Sequence, residues 1–258
     1  MGARSGKPRD DWPTPMRTSL PSDAPVRLRA LLARHAPSRP TPLVPSLRAP
    51  AAVDELPLWQ AAEAAFGGPL PAPFWAVAWP GAQALARGVE DGVVAVVGRV
   101  VFDVGCGSGL AGVAAARAGA ARVVVVDVDP LAVQVALLVA ADHGVVVHGV
   151  VADPITGDDD LIVGPGGADV VLAGDVVYNV DVGAALVQRA RAWRAAGKDV
   201  VLADSGRPFF DADGAAVLAR HDVPVPFAVE GVASRSVTLY RHPGGHAGHP
   251  GGRRAHGD

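Results

Sequence analysis

The stretch Val101-Phe-Asp-Val-Gly-Cys-Gly-Ser-Gly109 joins an apolar run to a glycine-rich turn, and this junction most limits what the chain can fold into. Arg99 to Val104 is short, apolar and bounded by glycine, the pattern of a buried strand rather than a helix. Glycines there let the backbone turn sharply and approach a ligand, and the following helix, ending near Gly119, presents free N–H groups. Arg122 to Asp127 repeats the strand pattern. Asp129 and Pro130 then supply an N-cap and a first-turn proline for a helix through Ala141.

The alternation continues on both sides. Asp54 can cap a helix running to Phe66, with Gly67 just past its end, and Pro80 suits the first turn of a helix through about Gly88. Val145 to Val151 reads as a third strand and Asp169 to Ala173 as a fourth. A helix from Asp181 to Ala196 stops at Gly197, and Asp199 to Ala203 is a fifth strand. A short helix over Gly214 to Arg220 and an antiparallel pair, Pro224 to Glu230 with Ser234 to Arg241, complete the pattern. Val-rich strands separated by helices indicate an α/β fold with a doubly wound, mostly parallel sheet, which binds ligands where strand order reverses.

Four segments are expected. Residues 1–45, rich in Pro, Arg and Ser without sustained periodicity, are expected to be disordered. Residues 46–98 form an N-terminal helical segment across the strand ends, and 99–241 the ligand-binding domain. Residues 242–258 form a disordered tail, whose His242, His246, His249 and His256 offer no fixed geometry to a metal. A net charge of -3 gives no general attraction to nucleic acid or an anionic membrane. The single cysteine, Cys106, excludes an internal disulfide and fits a reducing compartment. The longest apolar run, Leu131 to Ala141, is too short to span a bilayer, and no signal-peptide h-region is evident, so a cytoplasmic location is expected.

By itself the glycine loop is ambiguous. Gly107-Ser-Gly-Leu-Ala-Gly112 also satisfies the dinucleotide pattern, with Asp127 where a ribose-binding acid belongs. Asp103, two residues before Gly105, separates the readings. Its carboxylate would repel a pyrophosphate but suits a ligand carrying an ammonium and a sulfonium. Cys106 has no evident partner base, so a packing role is expected. Asp-Val-Gly-Cys-Gly-Ser-Gly resembles the first motif of the seven-strand, Rossmann-like S-adenosylmethionine-dependent methyltransferases. The resemblance implies S-adenosyl-L-methionine as cofactor and a C-terminal antiparallel strand in a seven-strand sheet. It places the cofactor on Gly105, Gly107, Gly109 and Asp127, with Asp103 near its amino-acid end and Asp153 near the adenine. A NAD-dependent oxidoreductase and a non-catalytic binding module remain the alternatives of another class.

Three further segments narrow the acceptor: Ala72 to Arg87, Ala173-Gly-Asp-Val-Val-Tyr-Asn179 and Ala203-Asp-Ser-Gly-Arg207. Together they resemble the protein lysine methyltransferases that modify the electron-transfer flavoprotein β subunit, over about Thr41 to Arg241. The resemblance implies a lysine of a partner protein as acceptor, with Asp175 and Tyr178 at its ammonium and Trp79, with Trp75, walling the cofactor and lysine channel. A small-molecule N- or O-methyltransferase is the alternative on the same cofactor. Asn179, Ala82 and Ser205 depart from the group, which expects an acid, a glycine and a proline there. Arg207 fits either an acidic patch on the partner or a structural ion pair.

Overall fold

The computed structural model describes residues 20–52, 54–158, 162–164, 166–177, 180–208, 210–212, 214–225 and 231–242. In chain order these form α1 (Ala24–His35), a hairpin of β1 (Ser38–Pro40) and β2 (Arg48–Pro50), α2 (Glu55–Phe66) and α3 (Pro80–Glu90). Next come β3 (Val100–Val104), α4 (Leu110–Arg117), β4 (Arg122–Asp127), α5 (Pro130–Asp142) and β5 (His148–Val151). The chain continues with β6 (Val170–Gly174), α6 (Val180–Ala195), β7 (Asp199–Asp204), β8 (Ala216–Pro224) and β9 (Ser234–His242).

The seven strands β3 to β9 lie in the order β5-β4-β3-β6-β7-β9-β8. The first five are mutually parallel, and β9 runs antiparallel to both of its neighbours. Strand order reverses beside β3, which puts the ligand crevice of such a sheet at the end of β3, over the glycine turn. Alternation along each strand feeds two cores. Val101, Val125 and Leu172 face α3, α4, α5 and the N-terminal segment. Phe102, Val126 and Leu202 face α6, where Trp193 meets Phe102 edge-on at 6.1 Å.

Local signals place α2 and α5 as expected. Asp54 accepts the Leu56 N–H at 3.2 Å, and Gly67 ends α2 with φ 77°. Asp129 accepts the Leu131 N–H at 2.8 Å, with Pro130 in the first turn of α5.

Three expectations are corrected. Residues 20–45 are ordered: Leu28 of α1 and Val44 are fully buried. Arg27 reaches the Ala65 carbonyl and Arg29 the Asp142 carboxylate. The arginines hid a narrow apolar stripe, Leu28 with Leu31, that acquires a partner only when α2 and α5 are in place. Residues 1–19 lie outside the described residues. The helix expected over 214–220 is instead the start of β8, which ends at Pro224, so the antiparallel pair is Ala216–Pro224 with Ser234–His242. Ala-Val-Leu-Ala reads as helix by propensity, and pairing with β9 overrides it. His242 is the last residue of β9 and is buried, while 243–258 lie outside the described residues. Among the described residues, no helix is long and apolar enough to cross a membrane.

Candidate active site

The turn from β3 into α4 carries positive φ at Gly105 (62°), Gly107 (51°) and Gly109 (76°), a conformation glycine adopts without steric cost. The demands on them differ. A Cβ at Gly109 would lie 2.6 Å from the Ala136 Cβ, so a side chain there would push α5 off the loop. A Cβ at Gly107 would meet nothing within 4 Å, so this residue leaves its outer side open.

Three carboxylates surround the turn. Asp127, at the end of β4, accepts the Gly107 N–H and the Asp129 N–H, each at 3.0 Å. Asp103 is buried beneath the loop and accepts the Gly112 N–H at 2.8 Å. Burial pushes its carboxyl up to about 7, assisted by the Asp127 charge and opposed by the Gly112 bond. Burial also raises Asp127, and it pushes Asp129 up to about 6. The Trp75 indole, buried beside Asp129, opposes that rise by hydrogen bonding. None of the three forms an ion pair among the described residues, so the crevice carries uncompensated negative charge. Such a site matches a cationic ligand and repels a pyrophosphate. Cys106 is buried, and burial with the neighbouring acids holds its thiol well above the usual range, which leaves it a packing group.

The second half of the site lies at the ends of β6 and β7. Asp175 follows β6 directly and, among the described residues, is the non-glycine residue with positive φ (56°). Its Oδ2 accepts the Gly81 N–H in the first turn of α3, and its Oδ1 accepts the Ser205 hydroxyl at 3.0 Å. A Cβ on Gly81 would meet Oδ2 at 2.5 Å, so glycine permits this contact. The carboxylate thus ties α3 to the ends of both strands. Next to it, Asp204 accepts the N–H groups of Gly206 and Arg207, at 3.1 and 3.0 Å, and shapes a cleft shared with Asp175, Arg207 and Phe210.

Trp79 is half-buried before α3, and its indole N–H donates to the Phe74 carbonyl at 2.7 Å. The Phe74 ring is 60% exposed and meets Trp79 edge-on at 5.8 Å. Asp153 is exposed two residues beyond β5. It closes a turn by accepting the Ile155 N–H at 2.9 Å and the Thr156 hydroxyl at 2.7 Å. Tyr178 and Asn179 lie outside the described residues. The role of Gly81 escapes the sequence reading, as does the bond of Trp75, expected at the channel wall, to Asp129. Ser205 stood out only as a departure, yet its hydroxyl makes a bond that proline cannot make.

Comparison with known proteins agrees with this geometry. The ribosomal protein L11 methyltransferase family matches residues 90–174, from the end of α3 to the end of β6. The electron transfer flavoprotein beta subunit lysine methyltransferase of Xenopus laevis is 30% identical over 183 residues, covering 70% of this chain and 72% of that protein. Its Danio rerio counterpart is 33% identical over 148 residues, 55% of this chain and 54% of that protein. The chain spans about half the length of several curated relatives that it matches. In fold it is similar to a Pyrococcus horikoshii protein described as a candidate RNA methyltransferase. The TM-score is 0.50 at 20% identity, over 69% of this chain and 91% of that one. With its acid-ringed glycine turn, its methyltransferase strand order and a likeness that runs through most of the Xenopus laevis protein, the chain belongs to the electron transfer flavoprotein β-subunit lysine methyltransferase family.

Proposed function

We propose that this chain transfers a methyl group from S-adenosyl-L-methionine to a lysine side chain of the β subunit of an electron transfer flavoprotein. One observation carries the cofactor assignment: one buried and two half-buried carboxylates, Asp103 with Asp127 and Asp129, border a glycine turn without cationic partners among the described residues, and its middle residue is open on its outer side. When bound, S-adenosyl-L-methionine supplies an electrophilic methyl on a sulfonium. In this reading the backbone of Gly105, Gly107 and Gly109 supports the cofactor, Asp127 binds the ribose hydroxyls and Asp103 matches the positive amino-acid end. Asp153 and Trp79 are assigned to the adenine and to the wall of the channel. Asp153 keeps acceptor capacity beyond its own turn, because a carboxylate offers about four lone-pair sites.

The acceptor side follows from the chemistry of an amine. A lysine ammonium, with an ordinary pKa of about 10.4, must lose a proton before it attacks. Burial favours that loss and a neighbouring carboxylate opposes it. Asp175 is therefore cast as the group that aims the amine rather than its activator. The Gly81 N–H and the Ser205 hydroxyl support this casting by holding the carboxylate in one orientation. Tyr178, three residues on, is assigned a hydrogen bond or a π face toward the same nitrogen.

The test is to incubate the purified chain with methyl-labelled S-adenosylmethionine and purified electron transfer flavoprotein, then map the label by mass spectrometry. Label on a lysine of the β subunit is expected. No label on the flavoprotein, or label confined to other residue types, overturns the reading.

A further inference from the structure

A cleft of about 190 Å³ lies between the β1–β2 hairpin and the start of α3. Thr41, Ala51, Val77, Gln83 and Pro224 contribute to its lining, and the long side chain of Arg39 stands at its rim. The polar groups in the wall are already satisfied. Gln83 takes the Leu43 N–H at 3.1 Å and gives its own to the Ala78 carbonyl at 2.7 Å, while the Thr41 hydroxyl bonds the Val44 carbonyl at 2.7 Å. What remains for an occupant is apolar surface, and a polar group placed there would lose its water without finding a partner. The volume falls below the roughly 300–1,000 Å³ of clefts that take a whole small ligand. It is close to the roughly 150 Å³ of an apolar cavity that holds a benzene ring. The cleft therefore suits one large apolar side chain.

Its place in the fold relates it to the acceptor. β8 runs parallel to β7, so Pro224 at the end of β8 lies on the same sheet edge as Asp204 and Asp175. Only Ala78 separates the cleft-lining Val77 from Trp79, and the Ala52 N–H bonds the Ala76 carbonyl at 3.0 Å, which anchors the hairpin to the aromatic turn. Arg39 is the one charged residue in its lining among the described residues, so the charge at the cleft is positive although the whole protein carries a net charge of -3.

We infer that this cleft docks an apolar side chain of the acceptor protein, with Arg39 engaging a carboxylate beside that side chain, so that the partner's lysine is delivered past Trp79 to Asp175. The inference rests on the lysine-methylation reading above and adds the means of recognising the partner. An arginine beside an apolar pocket is an arrangement in which the pocket supplies affinity and the charge selects and orients.

The test measures methyl transfer to purified electron transfer flavoprotein at varied flavoprotein concentration, with calorimetry of S-adenosylhomocysteine binding alongside. Arg39→Glu reverses the rim charge, and Ala51→Leu fills the cleft. Each is expected to raise the KM for the flavoprotein about tenfold, leaving kcat and S-adenosylhomocysteine affinity unchanged. Arg39→Lys is expected to stay within about twofold of the parent. If the parent methylates the flavoprotein and neither variant moves KM, the docking inference is overturned and the lysine reading stands. If the parent transfers no methyl to the flavoprotein, both fall together.

Discussion

Asp103, Asp127 and Asp129 occupy positions where burial makes the charged form costly, and nothing cationic in the described protein relieves that cost. All three have folded values above their ordinary one, near 3.9, with Asp103 at about 7 and Asp129 at about 6. The folded state therefore binds more protons than the unfolded chain between those limits. The associated stability is complete below about pH 4 and is lost as pH rises through about 6 to 7. Binding a cation favours the ionised acids, so affinity for S-adenosylmethionine runs the other way and rises through the same window. Denaturant unfolding of the ligand-free protein is expected to show lower stability at pH 8 than at pH 5, with Asp103→Asn flattening the difference. Calorimetry should find tighter binding at pH 8. A ligand-free stability that climbs over that range would refute the assignment of strain to these acids.

At the level of elements, α3 is held to the sheet by a side chain at its N-terminus rather than by a cap of its own. Trp79 precedes it with no side-chain cap, and Asp175 supplies the acceptor for the Gly81 N–H from another part of the chain. The same carboxylate takes the Ser205 hydroxyl, so one residue fixes a helix end and two strand ends. Asp175→Ala is consequently expected to cost about 1–2 kcal/mol of stability, the scale of a lost N-cap, besides lowering kcat. Ser205→Ala removes one bond and leaves the carboxylate. Its stability loss should be smaller, about 1 kcal/mol. Thermal melts and steady-state rates on both variants check this ordering. A fully stable Asp175→Ala protein with reduced turnover would mean that the tie is not a structural one.

Across the whole molecule, the opposite sheet edge is closed by charge. Asp199, at the start of β7, receives Arg99 at 3.0 Å from the turn before β3 and Arg241 at 2.7 Å from β9. Both guanidiniums pull the Asp199 carboxyl below its usual range against the effect of burial, so this contribution disappears only in acid. The network joins the parallel half of the sheet to its antiparallel end, where the chain makes its last crossing. Removing the shared acid leaves two arginines facing each other's charge. Both still reach water, so Asp199→Ala is expected to cost about 2–3 kcal/mol, below the 3–5 kcal/mol of a fully buried pair. Urea unfolding with an unchanged m-value would measure it, and a loss under about 0.5 kcal/mol would show the network to be superficial.

What could be read from residues alone was whatever depended on neighbours a few positions away. The strand–glycine–helix junction at Val101 to Gly109, the Asp54 and Asp129 caps and the six residues of β4 are local events, and they stand where spacing and turn chemistry put them. Two kinds of feature escaped. The first comprises elements whose stability comes from a distant partner: α1, which looks like an arginine-rich tail until α2 and α5 cover its leucines, and the start of β8, whose helical propensity yields to β9. The second is the company that side chains keep across the sheet edge. Asp175 meets Gly81 over 94 residues and Ser205 over 30, contacts created when strand order brings the ends of β6 and β7 beneath α3. Sequence determined which chemistry was available at each strand end. Tertiary structure decided which of those groups share a site, because residues far apart in the chain become neighbours only through the register of the sheet.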